Sequence, residues 1–199
     1  MGVTQFGVVL LAAGASTRMG TAKQLLEFRG KPLLRHAAEV ALASMCQQVI
    51  VVLGANVEQV RPTLDGLPVK MIENPIWAEG MGTSIHAGVH FADQMGLDGV
   101  ILALADQPLV TSQTMDRLLA EFLHSGQSIV AARYAESVVG VPAFFAREFY
   151  PQLLAIDPSQ GCKALIVKCA HQAIFIDCPE AEADVDTRLD YERFRLSKW

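Results

Sequence analysis

Short unbroken runs of apolar residues punctuate the chain, and they leave few architectures open. Residues 6–12 (FGVVLLA), 49–53 (VIVVL), 99–105 (GVILALA), 128–132 (SIVAA) and 173–176 (AIFI) are such runs, with a weaker one at 69–72. A strand with one wet face alternates apolar and polar residues, whereas a strand covered on both faces does not. Helical patterns separate the runs, at residues 32–45, 57–64, 84–95, 112–123, 144–156, 163–169 and 187–196. Pro62 weakens the second of these, and Thr111 or Ser112 can cap the fourth. The alternation predicts an α/β fold: a doubly wound, mostly parallel sheet with helices on both faces. A chain of 199 residues, 51% of them hydrophobic, suffices for one well-filled core and reads as a single domain.

Charge and cysteine content narrow the function. A net charge of -5 argues against a broad basic surface for nucleic acid or anionic membrane. No stretch approaches the roughly 18 apolar residues of a membrane span, and residues 1–5 carry no positive charge of the signal-peptide kind. Cys46, Cys162, Cys169 and Cys178 form no CxxC pair and read as reduced thiols, so a cytoplasmic location is expected. His86 and His90 lie four apart on a helix face without an HExxH context, and His36, His124 and His171 form no metal spacing.

The first apolar run leads into Leu11-Ala12-Ala13-Gly14-Ala15-Ser16-Thr17-Arg18-Met19-Gly20, with Lys23 three residues on. Small residues at the carboxyl end of a parallel strand let backbone amides approach a ligand. Gly14 and Gly20 open dihedrals closed to other residues. Successive amides in such a loop form an anion nest, and Arg18 and Lys23 add positive charge. The composite suits a triphosphate. It is neither GxxxxGK[ST] nor GxGxxG. An ordinary strand-to-loop turn bearing two surface cations is the plainer alternative.

Asp106 closes the strongest central run, in Leu104-Ala105-Asp106-Gln107-Pro108. A carboxylate there can hold Mg²⁺, a hard ion that prefers oxygen, or serve as a turn residue. Asp184 and Asp186 alternate on one extended stretch and can face the same side, although Asp186 could instead cap the last helix. Residues 74–84 (NPIWAEGMGTS) follow a strand and open a helix near Ser84, with Gly80 and Gly82 suited to a base and ribose. Trp77 could equally be a packing anchor there.

The stretch LAAGASTRMGTAKQLL resembles the signature loop of the molybdenum-cofactor nucleotidyltransferases. The resemblance extends to LADQP, to the segment Asp184-Val185-Asp186-Thr187, to residues 74–84 and to Gly140-Val141-Pro142-Ala143-Phe144-Phe145. It implies a nucleotide-diphospho-sugar transferase type of Rossmann-like domain. In that arrangement residues 1–110 hold the nucleotide and 111–199 the acceptor. It places Leu11, Ala12, Ala13, Gly14, Ser16, Arg18, Lys23, Gly80 and Ser84 on the nucleotide. Lys23, Arg18 and Asp106 become the catalytic set, Asp106 and Asp186 the Mg²⁺ ligands, and Gly140 and Pro142 part of the acceptor side.

Two departures bear on the acceptor. Val141 stands where a polar residue or proline is more usual, and Gln160 replaces an arginine in an RGAR-like segment ending at Lys163. The form with Ala13, where guanylyl enzymes tend to carry glycine, resembles the cytidylyl branch and implies CTP. The expected partners are CTP or another NTP, a phosphorylated acceptor of the molybdopterin type, and a molybdenum enzyme receiving the product. A sugar-phosphate or alcohol-phosphate nucleotidyltransferase is the runner-up; such relatives usually carry proline before the loop lysine, where this chain has Ala22. A non-catalytic nucleotide-binding chaperone is the reading from a different class.

Overall fold

The computed structural model describes residues 4–17, 19–135, 138–185 and 187–196. Strands β1 (Phe6–Ala12), β2 (Glu27–Phe28) and β3 (Lys31–Pro32) precede helix α1 (Leu33–Leu42). Then follow β4 (Gln48–Leu53), α2 (Val57–Val60), β5 (Lys70–Glu73), α3 (Met81–Gln94), β6 (Gly99–Leu104) and α4 (Ser112–Ser125). The last part holds β7 (Ile129–Ala135), β8 (Val138–Ala146), α5 (Tyr150–Leu154), α6 (Lys163–Lys168), β9 (Ala173–Asp177) and α7 (Arg188–Leu196). Seven strands form one sheet in the order β5-β4-β1-β6-β8-β7-β9. All its pairings are parallel except the two made by β8. The doubly wound, mostly parallel, single-domain expectation is met.

The continuous apolar runs are explained by what covers them. Every residue of β1 is buried. Val8, Leu10 and Ala12 join one core layer with Leu34, Ala38 and Ala41 of α1 and Leu118 of α4. Val9 and Leu11 join the opposite layer with Ile85, Val89 and Ala92 of α3, Leu153 of α5 and Ile166 of α6. Each aliphatic side chain so buried contributes about 1.5–3 kcal/mol. Helix α3 lies close on the sheet because Gly88 carries no side chain: a Cβ there would stand 2.3 Å from Val9 Cγ1.

The region after residue 135 departs from expectation. A helix was expected from residue 144, but β8 runs through Ala146 and α5 spans only Tyr150–Leu154. Phe144 and Phe145 are fully buried and pair with Ile101 and Val100 of β6. Phe144 also packs its ring 4.3 Å from that of Phe122. Burial between two strands outweighs the helical pattern. The pairing with β7 jumps from Ala131–Ala143 to Ala132–Gly140, so Val141 and Pro142 bulge out of the ladder. A proline, which has no N–H to give to a ladder, is tolerated at such a bulge.

Helix α4 is capped by Thr111, whose hydroxyl accepts from Thr114 N at 3.2 Å. The cap of α7 is Thr187: Asp190 N donates to its Oγ1 at 3.2 Å, and its own N–H donates to Asp190 Oδ2 at 2.9 Å. That reciprocal pair is a capping box with aspartate in the glutamate role, so the capping alternative open to Asp186 is taken by its neighbour. Among the described residues no helix is long and apolar enough to cross a membrane.

Candidate functional site

The carboxyl ends of β1 and β6 lie side by side, joined where Ala105 N donates to Leu11 O at 3.1 Å. A cleft of about 310 Å³ opens above them. Its walls come from Leu11 to Ala15, Lys23, Gln24, Trp77, Ala78, Gly80, Met81, Ser84 and Leu104 to Asp106. Carboxyl strand ends are where open α/β sheets bind ligands.

The loop after β1 is held from below by Gln24, which the sequence reading passed over. Its side chain is 2% exposed, and Nε2 donates to Ala12 O at 2.9 Å and to Gly14 O at 2.8 Å. With their carbonyls turned down onto Gln24, these peptides are fixed in place at the cleft wall. Ser16 takes a left-handed φ of 56° and accepts the Lys23 N–H on its hydroxyl at 3.0 Å. Gly20 has a positive φ of 69°, as expected, but Gly14 does not. Open space lies where a Gly14 Cβ would stand, so its contribution is an uncrowded wall. Arg18 falls outside the described residues.

Lys23 and Asp106 meet as an ion pair between Nζ and Oδ2, their side chains 19% and 14% exposed. They are the only charged side chains among the described residues lining the cleft. The other carboxylate oxygen, Asp106 Oδ1, is buried and accepts no hydrogen bond. A buried carboxylate oxygen without a donor is costly unless a cation or donor completes it. Val185 N donates to Asp106 O at 3.0 Å, bringing the C-terminal acidic segment beside this tip. Asp184 is exposed there, and Asp186 lies outside the described residues. The described residues hold no cluster of three metal-ligating side chains.

The wall from residue 74 to 84 is organised by Asn74, 2% exposed. Its Nδ2 donates to Thr83 Oγ1 at 2.7 Å and Ser84 Oγ at 3.0 Å, while Oδ1 accepts from Ile76 N at 3.1 Å. Helix α3 begins at Met81, so Ser84 sits inside its first turn and not at the cap, where Gly80 stands. Ser84 and Gly80 both line the cleft, as does Trp77. Gly80 (φ 129°) and Gly82 are required by the turn at residues 157–159. A Cβ on Gly82 would stand 2.3 Å from Asp157 O, and one on Gly80 2.5 Å from Pro158 O. The RGAR-like segment thus lies behind this wall, Gly161 packing on Met81.

Gly140 and Pro142 are buried in the bulge of β8 and do not line this cleft. A Cβ on Gly140 would meet the Tyr134 hydroxyl at 2.6 Å. Histidines and cysteines are absent from the described lining. His36 rests on Pro108 O at 3.1 Å, with burial holding its pKa low. Burial pushes the thiols of Cys46 and Cys178 up to about 11 and that of Cys162 to about 12, which keeps them inert. The described lining therefore offers one ammonium, one carboxylate, the side chains of Gln24, Trp77 and Ser84, and a set of backbone groups. That equipment suits charge neutralisation and positioning.

A doubly wound sheet with a small-residue loop, a lysine and a carboxylate at its carboxyl edge defines a nucleotide-binding α/β protein of the nucleotidyltransferase-like fold. Residues 8–173 match the MobA-like NTP transferase domain, and the chain belongs to that family. It is 39% identical over 128 residues to nicotine blue oxidoreductase of Paenarthrobacter nicotinovorans, a match covering 64% of this chain but 61% of that relative. Among solved structures it is similar to Rv0371c of Mycobacterium tuberculosis H37Rv, at 30% identity and a TM-score of 0.79, covering 99% of this chain and 100% of that one. A manganese complex of Rv0371c is also similar, at 29% identity and a TM-score of 0.72, covering 96% of this chain and 98% of that one.

Proposed function

We propose that the chain is a nucleotidyltransferase that moves CMP from CTP to a phosphorylated acceptor, molybdopterin, and releases pyrophosphate. The observation that carries this reading is the Lys23–Asp106 pair on the cleft floor, with Asp106 Oδ1 buried and undonated beside a wall of peptide groups. Family membership and the manganese complex of a relative add to it.

The orphaned oxygen fits a hard divalent cation, so Asp106, with Asp186, would hold Mg²⁺. Bound there, the ion would supply positive charge beside the α-phosphate. The loop amides orient the triphosphate. Lys23 turns from Asp106 to the phosphates and offsets the charge that develops as an acceptor phosphate oxygen attacks the α-phosphorus and the bond to pyrophosphate breaks. The attacking oxygen is already anionic near neutral pH, which matches a described lining without a histidine base. All described lining residues fall between 11 and 106, which supports nucleotide binding by residues 1–110; acceptor binding falls to 111–199 in this reading.

The choice of CTP rests on Ala13. It lines the cleft, and its methyl is wedged so close to Gly54 that a Cβ on Gly54 would stand 2.8 Å from it. A wall that cannot yield disfavours the larger purine. The product would pass to a molybdenum enzyme. A panel of NTPs with Mg²⁺, read by pyrophosphate release with and without molybdopterin, tests the reading. Release with CTP only when molybdopterin is present is expected. Release with no nucleotide would leave a non-catalytic nucleotide-binding chaperone, and equal rates with GTP would remove the argument from Ala13.

A further inference from the structure

Gln107 follows Asp106 directly, yet its side chain has no place in the cleft wall. It is 4% exposed. Its Nε2 spends both protons on carbonyls from distant parts of the chain: Ala181 O at 2.8 Å and Val141 O at 3.3 Å. Val141 belongs to the bulge of β8, where the sheet ladder is broken and its carbonyl has lost the usual strand partner. Tyr134 Oη donates to that same carbonyl. Ala181 sits in the short turn that leads to Val185, whose N–H reaches Asp106 O.

The orientation of this amide is dictated by its partners. Reversing it would set an oxygen against two carbonyl oxygens. As it stands, Gln107 Oε1 is buried and accepts nothing. A buried acceptor without a donor is a penalty that an apolar residue of equal size would avoid at this position. What the glutamine supplies, and an isosteric methionine would not, is a two-point attachment.

We propose that Gln107 is a positioning residue that fixes the bulge at residues 140–142 and the segment 179–185 against Asp106. The wall beyond the carboxylate is thereby registered to the residue that receives the metal, while the nucleotide wall is left untouched. The assignment rests on the reading of Asp106 as the transfer site, and it extends that reading to the acceptor side, where Gly140 and Pro142 lie.

The test uses Gln107→Met, which keeps volume and removes both donors, and Gln107→Glu, which sets a carboxylate oxygen against the same two carbonyls. Affinity for Mg²⁺·CTP without acceptor, read by calorimetry, is expected to stay within about twofold of wild type. The KM for molybdopterin is expected to rise at least tenfold in Gln107→Met and further in Gln107→Glu. Hydrogen–deuterium exchange on the same proteins should quicken at 138–146 and 178–185 and stay unchanged at 11–24 and 74–84. Equal losses of nucleotide and acceptor binding, or faster exchange throughout, would mean a structural role only and overturn the proposal. So would wild-type kinetics and exchange in both variants. If the wild type shows no transfer from any NTP, the functional reading fails by itself, and the exchange pattern still decides whether Gln107 fastens the two segments.

Discussion

Lys23 is the residue whose removal separates chemistry from folding. Its side chain lines the cleft and belongs to no hydrophobic core, so Lys23→Ala should keep the fold while turnover falls on the order of 10²-fold or more. The same variant strips Asp106 of its internal counter-charge, so Mn²⁺ should bind the nucleotide-free variant more tightly than wild type in an electron paramagnetic resonance titration. Unchanged turnover would remove Lys23 from the mechanism. Asp106→Asn is the converse change. Asp106 and Asp186, which the family resemblance brings together, would repel each other in the free site, and the substitution would relieve that. The structure sets the Lys23 ammonium against Asp106, so Asp106→Asn also takes a counter-charge from that partly buried cation. It should lower stability by roughly 1–2 kcal/mol by chemical denaturation, with most activity lost as well. Asp186→Asn should leave the melting temperature unchanged, because Thr187 and Asp190 already cap α7. Any loss of turnover in that variant then belongs to the site.

At the scale of elements, the wall over the cleft depends on close contact with the turn at residues 157–159. Gly82→Ala would force a methyl to within 2.3 Å of Asp157 O, and backbone cannot yield as a side chain tip does. A loss of about 1–3 kcal/mol in thermal unfolding is expected, with weakened CTP binding measured by calorimetry; a silent variant would mean the turn moves freely. How legible each element was follows from its partners. Strands β1, β4 and β6 were plain in the sequence because both of their faces are covered by helices. The loop from Leu11 to Lys23 was plain because residue types at fixed offsets carry it. Strand β8 was hidden because Gly140 and Pro142 interrupt its pattern, and only the pairing with β6 and β7 makes it a strand. Gln24, Asn74 and Gln107 were equally hidden. Each is a single buried amide whose partners no periodicity announces, and two of Gln107's lie 34 and 74 residues away.

For the molecule as a whole, a ligand that binds only the folded state raises stability by mass action, about 2.7 kcal/mol at a hundred times its dissociation constant. Mg²⁺·CTP at that excess should raise the melting temperature by about 5–10 °C, and GTP by less. Equal shifts from the two nucleotides would contradict the pyrimidine preference. The thiols set an alkaline boundary. Burial raises Cys46, Cys162 and Cys178 from 9.0 to about 11, 12 and 11, so the folded state holds protons that the unfolded chain releases. Their contribution is fully present below pH 9 and is lost as pH climbs through the folded values. Denaturant midpoints should fall between about pH 9 and pH 11, and replacing Cys46 with serine should flatten that decline.

The ion pair on the cleft floor makes ligand entry an exchange of partners. Lys23 leaves a carboxylate for a phosphate, and Asp106 leaves an ammonium for a metal ion, so the number of opposed charges in contact hardly changes. Free lysines that neutralise phosphate lose their grip steeply as salt rises, because counter-ions compete for both. Here the competitor weakens the closed pair as well as the loaded one. Nucleotide affinity should therefore decline only gently between low and physiological ionic strength, and this chain would keep its substrate in a salty medium.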